Sequence, residues 1–257
     1  MKRREFVWAV GAGLVGLRQP VRLSAVPSLL LPMDDAQGDH LKAYGVTYRV
    51  VQAGIKAEWL LNYRGGSFLL PDGPAIRRDA ALAGVSVEPV DEAQVTAIRG
   101  EIEASNMDAV PLEKAPKVAV YVPPNAPPWD DAVTMALQYA GIQFDKVWDF
   151  EVIGGKLVGY DWLHLHHEDF TGQYSKFYLI YAGTPWLAEM VRFNTDAAKR
   201  LGFVTVPDLK KAVARKIRDY VTNGGFLFAM CTATETLDLA LAAERTDIAN
   251  RKPPFVT

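Results

Sequence analysis

From about Asp39 the chain alternates short apolar runs with amphipathic stretches. Tyr48 to Val51 is a β-prone run, and Lys56 to Asn62 has a helical pattern. Ser67 to Leu70 reads as a strand behind Gly65-Gly66, and Ala75 to Ala83 reads as a helix. Val85 to Val90 alternates, and Glu92 to Ala104 puts Val95, Ile98 and Ile102 on one helical face. Together these predict a small α/β unit over 38–108. Asn106 to Pro116 has two prolines and no period, and reads as a linker.

A second unit is expected over 115–257. Lys117 to Val122 is almost continuously apolar, the pattern of a strand buried on both faces, and Pro123-Pro124 stops it. Pro128 to Ala140 spaces Trp129, Val133, Leu137 and Ala140 as a helix. Asp161 to His166 and Phe177 to Ala182 read as strands. Asp208 to Val221 reads as a helix with Leu209, Val213, Ile217, Tyr220 and Val221 on one face, closed by Asn223-Gly224-Gly225. Phe226 to Met230 is a predicted buried strand and Ala233 to Ala243 a predicted helix. Strands and helices in alternation predict an α/β fold, a doubly wound, mostly parallel sheet beside the smaller N-terminal α/β unit.

The first 27 residues change the picture of where such a protein works. Met1 to Phe6 is basic and Val7 to Leu17 is apolar, uncharged and glycine-containing, the layout of an export signal. Arg3-Arg4 followed by Phe6 is twin-arginine-like, and Leu23-Ser24-Ala25 offers a small-residue cleavage site. The apolar run is too short to span a bilayer. The expectation is a periplasmic or secreted protein with no membrane contact once the signal is removed. Losing residues 1–25 removes Lys2, Arg3, Arg4, Glu5, Arg18 and Arg22 and moves the formal charge from −2 to −6. A mildly acidic chain without a basic run beyond its start gives nucleic acid nothing to bind. With 49% hydrophobic and 23% charged residues the chain is expected to fold. A single cysteine, Cys231, excludes an intrachain disulfide and any multi-cysteine metal site.

Cys231 ends an apolar strand and starts an amphipathic helix, the layout of a nucleophile elbow. Such a turn needs small residues two positions to either side, and Ala229 and Ala233 stand there. A thiol at a helix N-terminus gains from the backbone amides, and the Thr232 amide is placed to face an oxyanion. The competing reading is a small buried hydrophobe closing a core strand.

The strand, Cys231 and the helix, with the alternation that begins at Lys117, resemble the class I glutamine amidotransferase-like superfamily over about 117–245. Leu60 to Phe68, Tyr160 to Tyr174 and Phe228 to Asp238 are similar to a group of bacterial proteins labelled asparagine synthetase B. The resemblance implies a flavodoxin-like sheet and a cysteine-dependent, glutaminase-like attack on a small-molecule amide. The chain departs from true asparagine synthetases, having no cysteine at position 2 and no SGGxDS motif. Hydrolytic members of the superfamily carry a histidine and an acidic residue after the nucleophile. Here the histidines are His40, His164, His166 and His167, all before Cys231. The tail Arg251 to Thr257 has no amphipathic period, so a member truncated at its C-terminus is expected.

Three histidines fall within Asp161 to Asp169. On a continuing strand, His164, His166 and Glu168 share one face and His167 takes the other, a plausible divalent-metal set. A second reading makes one of His164, His166 and His167 the base for Cys231; a third is a polar loop. Trp129, Trp148, Trp162 and Trp186 read as core or pocket walls, Arg64 to Ser67 as a turn, and Asp130-Asp131 as a helix start. The one GxGxxG match, Gly11 to Gly16, falls within the apolar run of the leader, and there is no GxxxxGK[ST] motif, so no nucleotide cofactor is expected. Two functions remain: an exported cysteine amidohydrolase, or a non-catalytic periplasmic binding or interaction domain that keeps the fold.

Overall fold

The computed structural model describes residues 27–126, 132–174 and 180–246. Two sheets organise them. The first contains β1 (Ser28–Leu31), β2 (Ala57–Leu61), β3 (Phe68–Pro71), β4 (Glu88–Val90) and β5 (Asp108–Leu112). Their order is β4-β1-β3-β2-β5, with every neighbouring pair antiparallel. Alternation along β1 and β3 sends Leu29, Leu31, Phe68 and Leu70 toward α1 (His40–Gln52) and α2 (Pro74–Ala83). Leu30 and Leu69 face the other way, onto Ile98 and Ile102 of α3 (Glu92–Ala104). α3 forms where its period predicts, behind an Asp91/Gln94 capping box.

Three expectations fail in this half, each for a reason. Tyr48 to Val51 belongs to α1: the Asp39 side chain accepts from the Lys42 amide to cap the helix, and Ala43, Val46 and Val50 bury one face. Lys56 to Asn62 is not helical, because Ala57–Leu61 pairs with β3 on one side and β5 on the other. The 106–116 stretch is not simply a linker, since Asp108–Leu112 is the strand β5. Its Pro111 is tolerated because β5 lies at the sheet edge.

The second sheet contains β6 (Val118–Tyr121), β7 (Phe144–Val147), β8 (Trp162–Leu165) and β9 (Phe226–Ala229). All pairs are parallel and the order is β7-β6-β8-β9, so the chain steps outward to β7 and then crosses back over β6. Parallel strands need crossovers, supplied here by α4 (Ala132–Ala140), α5 (Asp149–Ile153), α6 (Pro185–Arg200), α7 (Val206–Thr222) and, after β9, α8 (Thr232–Ala242). Ala119, Tyr121, Leu163 and Leu165 pack against Val152 of α5, Val213 and Ile217 of α7 and Leu237 of α8. Val118 and Val120 face Leu137 of α4 on the opposite side. The fold is therefore α/β, with a parallel sheet and an antiparallel one.

Phe226 to Met230 forms a strand but not a buried one. β9 is an edge: Leu227 and Ala229 turn into the core, whereas Phe226 and Phe228 are 58% and 47% exposed. Within the expected strand Phe177 to Ala182, Ile180 and Tyr181 are helical and 177–179 lie outside the described residues. Trp129, Asp130-Asp131, the 1–26 leader and the 247–257 tail also lie outside them. Among the described residues no helix is long and apolar enough to cross a membrane.

The two sheets meet through α1 and α4. Gly45 approaches the Ala140 carbonyl so closely that a Cβ would lie 1.7 Å from its oxygen, and Arg49 Nη1 donates to the same oxygen at 3.1 Å. Glycine is required here for packing.

Candidate functional site

The chain crosses the sheet between β7 and β8, so loops leaving the carboxyl ends of β6 and β8 diverge. Open α/β sheets form their ligand crevices at such a place. A crevice of about 730 Å³ opens there. Asn125 follows β6, Trp148 follows β7, and His167, Glu168 and Asp169 follow β8, while Trp186 and Asn194 of α6 face them. A wider cleft of about 1150 Å³ lies at the opposite end of the sheet, beside Lys117, Phe144 and Tyr48, with no histidine or cysteine in its lining.

Lys210 reaches the crevice from α7, on the same stripe as Val213, Ala214 and Ile217. Its ammonium donates to Asp149 Oδ1 and Oδ2 at 3.0 and 2.9 Å and to the Tyr121 hydroxyl at 3.0 Å. Tyr121 in turn donates to Asp149. The lysine and aspartate side chains are 5% and 0% exposed. The ammonium's three donors thus have acceptors, and the Lys210 charge is matched by the carboxylate. Burial, and then the Asp149 carboxylate, push the Tyr121 hydroxyl well above its ordinary 10.0. Trp148 stacks on Tyr121 with ring centroids 4.3 Å apart and lies 3.9 Å from the ammonium.

Beside this crevice β9 hands over to α8. The Met230 amide makes a last bond to the Leu165 carbonyl at 3.1 Å, and Cys231 then turns the chain with φ 55 and ψ −142. That left-handed conformation costs a non-glycine residue about 1–3 kcal/mol. Cys231 is exposed, at the N-cap of α8, and its sulfur lies 3.8 Å from Thr232 Oγ1. Among the described residues the Thr232 amide has no backbone acceptor.

The first turn of α8 grips the loop after β8 by three bonds. The Ala233 amide donates to the His166 carbonyl at 3.2 Å, Thr232 Oγ1 to the His167 carbonyl at 3.0 Å, and Thr236 Oγ1 to the Glu168 carbonyl at 2.9 Å. These bonds fix the Cys231 turn and the crevice wall relative to each other.

The histidines separate. β8 ends at Leu165, so the two-residue alternation stops before His166. His164 stays in the strand, 3% exposed, on the α4 side of the sheet, its ring stacked on Phe228 at 5.5 Å. His166 and His167 lie in the loop with their Nδ1 atoms 3.1 Å apart, and the Glu168 carboxylate accepts from the His166 amide at 2.9 Å. Among the described residues no three His, Cys, Asp or Glu side chains are grouped to hold a metal ion, so His164, His166 and Glu168 do not form the expected set.

Three crevice residues carry a buried polar atom without a hydrogen-bond partner: Trp148 Nε1, Asp169 Oδ2 and Asn194 Oδ1. Such atoms are uncommon, each costing about 1–3 kcal/mol. Sequence reasoning missed Asp169 and Asn194 as site residues, and missed Lys210 and Asp149. Only Lys210 left a signal, a charged residue on an otherwise apolar helical stripe. No protein-family model, curated protein or solved structure matches the chain.

Proposed function

We propose that the protein is a cysteine-dependent amide hydrolase on a flavodoxin-like, glutamine amidotransferase-like sheet, exported behind a twin-arginine-like leader. The observation that carries this reading is the backbone of Cys231: a left-handed, exposed cysteine at a strand-to-helix turn. The Cys231 thiolate attacks the amide carbonyl carbon, and the Thr232 amide donates to the oxyanion. The C–N bond then breaks, and the leaving amine takes a proton from the His166–His167 pair, which had received the thiol proton. Water attacks the resulting thioester, releasing the carboxylic acid and restoring the thiol. The choice of base rests on adjacency in the chain's fold: α8 bonds to the His166 and His167 carbonyls and so holds the backbone of the histidine loop beside the Cys231 turn.

The test is the iodoacetamide rate of Cys231. A native chain modified about tenfold faster or more than the same chain unfolded in urea, with the advantage reduced in His166→Ala or His167→Ala, supports the reading. Native modification slower than unfolded modification removes it. The unpartnered atoms of the crevice favour a second reading that needs no nucleophile, a periplasmic binding domain, which holds if ligand binding persists without any such advantage.

A further inference from the structure

We infer that the crevice at the carboxyl ends of β6, β7 and β8 binds a small primary amine that carries an oxygen acceptor close to its ammonium group. This goes beyond the hydrolase reading and does not rest on it, since Cys231 is not among the residues that line the crevice.

The unpartnered atoms set the pattern. Asp169 Oδ1 accepts from the Thr171 amide at 2.8 Å and from Thr171 Oγ1 at 2.5 Å, which fixes the carboxylate and leaves Oδ2 buried and unpaired. Asn194 is 6% exposed; its Nδ2 donates to the Met190 carbonyl at 3.0 Å, which orients the amide and leaves Oδ1 unpaired. Trp148 is 5% exposed, and its Nε1 donor has no acceptor. Two fixed acceptors and one fixed donor ask a ligand for at least two N–H groups and one acceptor atom.

Charge decides what carries those N–H groups. Lys210 is already matched by Asp149, which leaves Glu168, Asp169 and Glu189 as the carboxylates of the lining. An anionic ligand would meet like charge, and an apolar one would leave all three atoms unpaired. The walls add aromatic faces, with Tyr181 and Trp186 edge to face at 5.3 Å, and such faces attract an organic cation. A primary ammonium with a carbonyl a few bonds away meets each requirement.

The probe is L-phenylalaninamide, compared with N-acetyl-L-phenylalaninamide, which keeps the ring and the amide but lacks the charge. Titration calorimetry on the Cys231→Ser chain removes turnover from the measurement. Saturable binding of the amine is expected, weakened about tenfold or more by acetylation and by Asp169→Asn. Asn194→Asp, which keeps the size and the acceptor and adds charge, is expected to bind at least as tightly, and an unchanged melting temperature confirms its fold. No saturable binding, equal binding of the acetylated compound, or equal binding by Asp169→Asn overturns the inference. Binding of the amine by Cys231→Ser, together with an unreactive Cys231 in the wild-type chain, removes the hydrolase reading and leaves the amine site standing.

Discussion

Among the described residues each half of the molecule holds two non-glycine residues in a left-handed backbone, Asn62 and Arg64 in one and Tyr174 and Cys231 in the other, and Arg64 and Cys231 are treated differently. Arg64, with φ 44, sits in the turn before β3, where its guanidinium binds Asp34 and Glu88, each through two hydrogen bonds. Gly65 beside it has φ 80, and a Cβ there would lie 2.3 Å from the Met33 carbonyl oxygen. The strain of that turn is tied down from every side, and the Arg64 to Ser67 segment is a structural turn. Cys231, with φ 55, is exposed and has Thr232 Oγ1 3.8 Å from its sulfur. Strain that is anchored in this way serves the fold, whereas the strained turn at Cys231 lies under an exposed side chain with no such ion-pair anchor among the described residues. The buried polar atoms follow the same division: Trp148 Nε1, Trp162 Nε1, Asp169 Oδ2 and Asn194 Oδ1 all belong to the parallel half.

The largest loss of stability is expected at the floor of the crevice. Lys210→Met leaves Asp149 buried without its cation and is expected to cost about 3–5 kcal/mol in urea unfolding. A loss below about 1 kcal/mol would mean that this pair does not hold the parallel half together. Next comes relief of strain. Arg64→Gly frees the backbone but strips two carboxylates of their partner, and a net loss of about 1–2 kcal/mol is expected. Cys231→Gly relaxes its turn with little to lose, and a gain of about 1 kcal/mol is expected. If both substitutions shift stability in the same direction, the distinction between anchored and free strain fails.

Acid and alkali are expected to separate the halves. The Arg64 hydrogen bonds hold the Asp34 carboxyl below its ordinary 3.8. Its contribution is therefore present above about pH 4 and is lost as the pH falls through the lowered value. Tyr121 is raised above 10.0, so its contribution is complete below about pH 10 and is lost as the pH rises beyond it. Hydrogen exchange should show β1 and β3 loosening first in acid and β6 loosening first in alkali, and the reverse order would contradict both assignments. Phe226→Thr, on the open face of β9, should move stability by less than about 0.5 kcal/mol.

Much of this architecture was legible where a residue pattern had one physical meaning. Val118 to Tyr121 is apolar throughout because both of its faces are covered, and the Glu92 to Ala104 period is a helix because Ile98 and Ile102 have a sheet to meet. Phe226 to Ala229 carries the same apolar pattern on an edge with one face open, since hydrophobicity records what a side chain prefers and not what covers it. Tyr48 to Val51 and Lys56 to Asn62 exchanged their expected states once the Asp39 cap and the flanking strands were in place. The strands β1 and β7 and the helices α5 and α6 went unanticipated, although Thr184-Pro185 is a helix-start signal. Cys231 and Thr232 stand at a strand-to-helix turn, and the His166–His167 loop is bonded to it. The crevice could not be read, because Trp148, Asp169 and Asn194 come from separate segments and meet only through the crossover of β7 and β8.

The approach of Gly45 to Ala140 has a consequence in time. Synthesis delivers the chain from its N-terminus at about 5–20 residues per second, so strands β1 to β5 emerge before most of the parallel sheet exists. All of their partners lie between Ser28 and Leu112, so the antiparallel sheet can close as soon as β5 has emerged, while β9 must wait for more than a hundred further residues before it can join β8. During that interval α1 already presents Gly45 and Arg49, and α4 has a finished surface on which to dock. The earlier half thus serves as a template on which the later half is assembled.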